Sequence, residues 1–161
     1  AVTAGSVEKL EACRRLGADI LINYREENFA DVLKNRCDRI LDIIGAKYLD
    51  QNVTALAPDG HMVIIGMQGG VKGELNIGKL LAKRGTISAT ALRARSHADK
   101  ARIVADTIKH VWPLLADGTI THQLHDTLPL ADAARAHELL RSGAVTGTLV
   151  LNVCSNEASK G

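Results

Sequence analysis

The chain has 161 residues, of which 46% are hydrophobic and 24% are charged, and its net charge is +2. This length suits one domain, and the balance of apolar and charged residues is typical of a folded globular chain. A charge this small, without a block of Lys or Arg, argues against nucleic-acid binding. No apolar run approaches the ~18 residues of a membrane span, and no signal peptide is recognisable, so we expect no membrane partner.

The cysteines and histidines follow neither a disulfide nor a metal pattern. Cys13, Cys37 and Cys154 are odd in number and far apart, which favours a reducing, cytoplasmic location over a disulfide framework. His122 and His125 lie in THQLHD, a stretch with a strand-like pattern, where a spacing of three places side chains on opposite faces. Two ordinary surface histidines are therefore favoured over a metal site, and no metal ligand is predicted.

The first half of the chain alternates between helix and strand signals. Ser6 is a natural N-cap for a helix that Gly17 ends, and the short apolar run DILIN then predicts a strand. A helix of roughly residues 27–35, the strand DRILDII ending at Gly45, and a helix of about residues 47–56 follow. The turn APDG closes that helix and precedes HMVIIG, a continuous apolar run that is typical of a strand buried on both faces.

The second half continues this alternation. A helix of roughly residues 77–83 precedes TISATAL, a predicted strand, and a long helix is predicted from His97 to Leu115, with Pro113 inside or ending its last turn. ITHQLHDTLPL is extended, ADAARAHELLRSG is a helix with Gly143 as its stop, and GTLVLNV is the last strand. Strands separated by helices of about ten residues predict parallel βαβ units. We therefore expect one doubly wound α/β domain over residues 1–153, followed by a disordered tail over residues 154–161.

The residues that directly follow each strand are candidates for ligand binding, because parallel sheets bind ligands at the carboxyl ends of their strands. TAGS follows the first strand, where a dinucleotide domain specific for NAD has an acidic residue for the ribose 2′-hydroxyl. Without a carboxylate here, Gly5 and Ser6 leave the helix N-terminus open to a 2′-phosphate. Lys9, one turn into the helix, and Tyr24, after DILIN, complete the predicted pocket. From these residues alone, a solvated lysine and a loop tyrosine are an equally open alternative.

Two further strand ends carry glycines. IIG ends at Gly45 and IIGMQGG contains Gly66, and both glycines would let a flat ring or a ribose approach the backbone closely. The alternative is that each glycine merely ends a buried strand. We find no nucleophile–base pair, carboxylate dyad or metal cluster of credible spacing. The residues therefore indicate a cofactor platform, with no catalytic residue assigned.

The stretch TAGSVEKLEACRRLGADILINYREENFADVL resembles the quinone oxidoreductase (zeta-crystallin-like) branch of the medium-chain dehydrogenase/reductase superfamily. DRILDIIG, LAPDGHMVIIGMQGG, LLAKRGTISATALRAR and PLADAARAHELLRSGAVTGTLVL agree in order, so the resemblance covers nearly the whole chain. It implies a Rossmann-type fold and NADPH-dependent hydride transfer to a quinone or related enone. It also implies independence of zinc and a homodimer formed through the strand near Thr86–Leu92.

The resemblance also implies roles for individual residues. The family's 2′-phosphate site corresponds to Gly5, Ser6, Lys9 and Tyr24, in agreement with the reasoning from the residues. Positions that flank the ribose and the nicotinamide correspond to Ile44, Gly45, Ile65, Gly66 and Met67. A strand end near the nicotinamide corresponds to Thr90 and Leu92.

In the family that the chain resembles, a barrel-like domain, the first Rossmann strand and its glycine-rich loop precede the position of Ala1. A sheet without that central strand exposes backbone groups that cost ~1–3 kcal/mol each when buried and unpaired. We therefore expect this segment to be marginally stable and inactive on its own. Two other functions stay open: a complete, non-catalytic module for nucleotide binding or dimerisation, and part of an enoyl reductase, including one from a multidomain synthase.

Overall fold

The computed structural model describes residues 1–153. It divides into two compact units, the first over Ala1–Lys100 and the second beginning at Ala101. The predicted tail, residues 154–161, lies outside the described residues. Whether residues 1–153 form one domain stays a prediction.

The first unit alternates strands with helices along its length. Its strands are β1 (Val2–Ala4), β2 (Leu21–Asn23), β3 (Cys37–Asp42), β4 (Leu56–Ile64) and β5 (Thr86–Ala89). Its helices are α1 (Val7–Arg15), α2 (Phe29–Val32), α3 (Leu49–Ala55) and α4 (Ile77–Ala82). β1 pairs with β2, β3 with β4, and β4 with β5, and each pairing is parallel. The predicted α/β class with parallel strands is confirmed.

Helix α1 begins and ends where its sequence predicts. Ser6 has an extended backbone, and its hydroxyl oxygen accepts a hydrogen bond from the Lys9 backbone N–H at 3.4 Å. At the other end Gly17 has a φ of 93°, and the Ala18 N–H donates to the Cys13 carbonyl at 3.1 Å. This is a Schellman motif, which favours glycine because one of its residues has a left-handed backbone conformation. The first amides of α1 are therefore fixed just beyond the carboxyl end of β1.

The core of the first unit lies where β2 meets α2 and α3. Its buried cluster consists of Ile22, Phe29, Ala30, Leu33 and Ala55. The ring centroids of Phe29 and Tyr48 lie 5.0 Å apart, within the range of a favourable aromatic pair. Because Tyr48 ends a short 3₁₀ helix (Ala46–Tyr48), this contact joins the core to the loop after β3.

The strands of the first unit form two separate sheets, β1–β2 and β3–β4–β5. Among residues 1–153, the hydrogen-bonded strand neighbour of β1 is β2, and that of β3 is β4. On β3 the side chain of Leu41 is 71% exposed. The resemblance implies a further, central strand from outside this segment, and that strand stays a prediction.

Strand β4 begins five residues earlier than the sequence predicts. Leu56 pairs with Cys37, whereas the next paired residues are His61 with Arg39. The predicted turn APDG is therefore an irregularity within β4, and the prediction that it precedes the strand is wrong. A local turn signal does not show that ladder pairing continues on both sides of the turn.

The second unit also combines helices with parallel strands. It contains most of α5 (His97–His110), then α6 (Trp112–Ala116), β6 (Leu124–Pro129), α7 (Ala133–Ser142) and β7 (Thr148–Asn152). β6 and β7 pair in parallel, and Leu128 and Ala136 are buried. Gly143 has a φ of 73° and ends α7, as predicted. None of the described helices is long and apolar enough to cross a membrane.

The predicted long helix from His97 to Leu115 is wrong in one respect, because two helices occupy this stretch. α5 ends at His110, and α6 begins at Trp112 with Pro113 in its first turn. Proline lacks a backbone N–H, and its ring collides with the carbonyl four residues earlier in a continuous helix. Pro113 therefore starts a new helix instead of closing the old one.

Candidate functional site

The residues predicted to bind a 2′-phosphate meet at the N-terminus of α1. We call this group the Gly5–Tyr24 cluster, and it consists of Gly5, Ser6, Lys9 and Tyr24. The Tyr24 N–H donates to the Ala4 carbonyl at 3.2 Å, which continues the β1–β2 pairing by one residue. A β-carbon added to Gly5 would lie 2.5 Å from the Tyr24 hydroxyl oxygen. The tyrosine therefore fills the space that a side chain at position 5 would need.

Arg25 also lies against this cluster, although the sequence reasoning did not single it out. Its Nε atom lies 3.1 Å from the position of a β-carbon on Gly5. Its backbone N–H donates to the Asn23 side-chain oxygen at 3.2 Å, which fixes the chain as it leaves β2. The signal was present in INYREE, where the cation directly follows the predicted tyrosine. The cluster thus has a guanidinium beside Gly5 and Lys9 in the first turn of α1.

Glu8 places a carboxylate at the same helix end. A hydrogen bond from its own backbone N–H, and then one from the Ser6 hydroxyl, lower the pKa of the Glu8 carboxyl. An N-terminal helix turn favours negative charge, since its first N–H groups have no partner within the helix. Glu8 therefore uses part of the donor set that an external anion would need.

The second group of predicted residues lies in the loops that follow β3 and β4, residues 43–46 and 65–70, which we call the glycine loops. Main-chain hydrogen bonds of 3.2, 2.7 and 3.1 Å join them: Gln68 N–H to Ile43 O, Gly69 N–H to Ile44 O, and Ala46 N–H to Gly70 O. The two loops therefore form one hydrogen-bonded layer at the carboxyl ends of their strands.

Gly45 and Gly66 lie where the backbones of the two glycine loops pack against each other. Gly45 has φ 77° and ψ −128°, and a β-carbon there would lie 2.9 Å from the Gly70 carbonyl oxygen. A β-carbon at Gly66 would lie 2.7 Å from the Ile43 carbonyl oxygen. These contacts exclude any side chain at either position, so both glycines do more than end a strand.

Asp42, the last residue of β3, is hydrogen-bonded to the backbone of the first glycine loop. It is only 4% exposed, and its two carboxylate oxygens accept the backbone N–H groups of Ile44 and Gly45 at 2.9 Å each. Its carbonyl accepts the Ile65 N–H at 2.8 Å, at the start of the second loop. Sequence reasoning missed this residue, and its one signal was an acidic side chain inside an otherwise apolar strand end.

The glycine loops carry apolar side chains that are open to solvent. Ile65 is 47% exposed and Met67 is 62% exposed, whereas Ile44 is half-buried. At the next strand end, the Thr90 N–H donates to the Ile64 carbonyl at 3.1 Å, and its hydroxyl accepts from Arg95 at 2.8 Å. Leu92, two residues further, is 55% exposed. Hydrogen bonding therefore places Thr90 beside the start of the second loop.

A cavity of about 330 Å³ extends from the Gly5–Tyr24 cluster to the start of α3. Its lining includes Tyr24 and Arg25 on one side and Lys47, Tyr48 and Gln51 on the other. Burial raises the pKa of the Tyr48 hydroxyl, and the nearby Tyr24 and Asp42 raise it further. The sequence reasoning did not identify Tyr48, which lies between the cluster and the first glycine loop.

Comparison with known proteins identifies the family. A family model described as zinc-binding dehydrogenase matches residues 16–151. The chain belongs to this family. The quinone oxidoreductase of Pseudomonas aeruginosa is 30% identical over 154 residues, which are 92% of this chain and 47% of that protein. The chain spans about half the length of the curated quinone oxidoreductases that it matches.

Two other similarities bear on function. The solved structure of an Escherichia coli quinone oxidoreductase complexed with NADPH is 28% identical, with a TM-score of 0.75 over 92% of this chain and 48% of that one. A phenolphthiocerol/phthiocerol polyketide synthase protein of Mycobacterium tuberculosis is 29% identical over 94% of this chain and 7% of that protein. The predicted Rossmann-type fold and the resemblance to quinone oxidoreductases are confirmed.

The description of the family that matches, zinc-binding dehydrogenase, names a metal. Residues 1–153 contain no group of three or more His, Cys, Asp or Glu side chains that could hold a metal ion. We therefore assign these residues no role toward zinc. Backbone atoms of the facing glycine loop occupy the space where a β-carbon would stand at Gly45 and at Gly66, so these glycines allow the two loops to pack together.

Proposed function

We propose that this chain forms the cofactor-binding part of an NADPH-dependent oxidoreductase that transfers hydride to a quinone or a related enone. The observation that carries the cofactor preference is the packing of Tyr24 and Arg25 against Gly5 at the N-terminus of α1. NAD-specific domains have an acidic residue at this strand end, and here the chain has TAGS.

The chemistry of the cluster suits a phosphate monoester. The first amides of α1 and the Ser6 hydroxyl are donors, and the helix dipole favours an anion there. The Arg25 guanidinium and the Lys9 ammonium supply charge-assisted hydrogen bonds, which are about twice as strong as neutral ones. The Tyr24 hydroxyl and ring close the side of the pocket next to Gly5.

The rest of the cofactor would follow the carboxyl ends of the strands. The cavity beside Tyr24 and Tyr48 accepts the adenosine, and the surface of Ile65 and Met67 on the glycine loops accepts the nicotinamide ribose and ring. Bound NADPH supplies the hydride. The residues of this chain orient the cofactor and keep water from one face of its ring. Similarity to quinone oxidoreductases supports the choice of a quinone or enone as acceptor.

We also propose that the protein forms a homodimer through β5. This strand pairs with β4 on one side, and β4 is the one strand paired with it among residues 1–153. An edge strand with free backbone groups favours pairing with a second copy. Sedimentation velocity of the full-length protein would show a dimer, and Ala89→Pro, at a position whose N–H faces away from β4, would shift it to monomer.

A second candidate reaction is enoyl reduction within a polyketide synthase, favoured by the similarity to the Mycobacterium tuberculosis synthase. It would use the same cofactor and the same residues of this chain. Full-length protein assayed with NADPH against a quinone and against an enoyl thioester separates the two, because each candidate predicts turnover of one acceptor.

The direct test is calorimetric titration of this chain with 2′,5′-ADP and with 5′-AMP, which differ in the 2′-phosphate. We expect 2′,5′-ADP to bind about tenfold to a hundredfold more tightly, as one or two charge-assisted contacts require. Equal affinities would contradict the 2′-phosphate assignment. Binding without turnover by the full-length protein would favour a non-catalytic module.

A further inference from the structure

We propose that Asp42 is a positioning residue of the cofactor site, which fixes both glycine loops through backbone amides without contacting the cofactor. The expected effect of Asp42 on cofactor binding rests on the proposed function. Its effect on the two loops follows from burial and hydrogen bonding alone and is independent of that function.

The side chain of Asp42 is buried and has two backbone partners. The carboxylate is 4% exposed, and each of its oxygens accepts one backbone N–H, from Ile44 and from Gly45. Gly45 is buried and has a left-handed φ of 77°. A buried amide must find an acceptor, and a charged acceptor holds it more strongly than a neutral one. The carboxylate therefore selects this path of the chain.

The first glycine loop, which Asp42 holds, is in turn hydrogen-bonded to the second. The carbonyls of Ile43 and Ile44 accept the N–H groups of Gln68 and Gly69. The direction of these carbonyls is set by the same peptide units that Asp42 holds. One carboxylate thus fixes the first loop directly and the second loop through it, including the segment that carries Met67.

Asp42 does not belong to the elements that hold the proposed phosphate pocket. The Gly5–Tyr24 cluster is held by β1–β2 pairing and the cap of α1, and Asp42 belongs to β3. Loss of the carboxylate should therefore affect the part of the cofactor that lies on the glycine loops and spare the adenosine phosphate.

The first experiment is amide hydrogen exchange, measured by NMR, on the chain without ligand. In the wild type, the amides of Ile44 and Gly45 should exchange at least tenfold more slowly than in an unstructured peptide. Asp42→Asn keeps one acceptor oxygen, so it should lower the protection of at least one of these two amides and that of Gln68 and Gly69, while the Met62 amide in β4 changes little. Asp38→Asn, an exposed carboxylate on the same strand, is the matched control and should change none of them. Unprotected Ile44 and Gly45 amides in the wild type would overturn the proposal, whether or not the variant folds.

The second experiment compares ligands. Asp42→Asn should weaken NADPH about tenfold and 2′,5′-ADP less than twofold, because 2′,5′-ADP lacks the nicotinamide half. An equal loss for both would indicate general destabilisation and overturn the positioning role. A wild type that binds neither ligand would refute the proposed function, and the exchange experiment would then decide the role of Asp42 by itself.

Discussion

The hydroxyl oxygen of Tyr24 lies 2.5 Å from the place where Gly5 would carry a β-carbon. A side chain at position 5 would therefore displace the outer end of Tyr24. Gly5→Ala should push Tyr24 away from the N-terminus of α1 and weaken 2′,5′-ADP binding about tenfold, equivalent to the loss of one charge-neutral contact. Because Tyr24 is 46% exposed, the melting temperature should fall little. Calorimetry and thermal unfolding check this prediction, and unchanged affinity would contradict it.

Lys9 provides a test of cofactor preference. In the full-length protein, Lys9→Glu should weaken NADPH by ~1–3 kcal/mol more than NADH, because the 2′-phosphate loses a cation and meets a carboxylate. Arg15→Glu, in the last turn of the same helix, is the matched control with the same charge change. Fluorescence titration gives both affinities. An equal loss for NADPH and NADH would remove Lys9 from the phosphate site.

Glu8 should oppose anion binding, since its carboxylate shares the Ser6 hydroxyl and a helix amide. Glu8→Gln is expected to tighten 2′,5′-ADP about two- to fivefold and to leave adenosine unchanged. The folded pKa of Glu8 is lowered, so its contribution to stability is present above the unfolded pKa and is lost as the pH falls through the folded pKa. Over the same fall in pH, wild-type affinity should approach that of the variant. Glu11→Gln is the control, and weaker binding by the Glu8 variant would refute the competition.

Tyr48 should titrate above the ordinary tyrosine pKa of about 10, chiefly because burial disfavours the phenolate. The chain contains two tyrosines, so Tyr24→Phe isolates Tyr48 in an absorbance titration at 295 nm. Since the folded pKa is raised, the associated stability is complete below the unfolded pKa and is lost as the pH rises through the folded pKa. The same variant in urea should titrate normally. A normal pKa in the folded variant would show that Tyr48 is open to water.

The elements that the sequence predicted well depend on local interactions. Ser6 and Gly17 bound α1 because a cap and a left-handed residue act within one turn. The strands were found because short, continuous apolar runs such as HMVIIG are typical of strands in a parallel sheet. The irregularity in β4 was missed because it depends on how this strand pairs with β3. The break before Pro113 follows from the stereochemistry of proline, but the sequence was interpreted as one helix with Pro113 in or after its last turn.

The site shows the same division. Gly5, Ser6, Lys9 and Tyr24 were predicted, since parallel strands bring their ends to one edge. Asp42 and Tyr48 were missed because their partners depend on the path of a loop. The ion pair of Arg84 with Asp59, at 2.6 and 2.7 Å, is a further example. These residues are 25 positions apart in the sequence, and both have a left-handed φ. Because they are so far apart, no local sequence pattern predicts their contact.

Main-chain hydrogen bonds join the two glycine loops to each other. The backbone conformation of the loops therefore does not depend on which side chains they expose. Ile43, Ile65 and Met67 contribute none of the bonds that join the loops through their side chains. Exchange of these three side chains should therefore change the surface of the loops while the main-chain hydrogen bonds between them stay in place. For protein engineering, these exposed positions are places where the surface of the loops can be varied with little effect on folding.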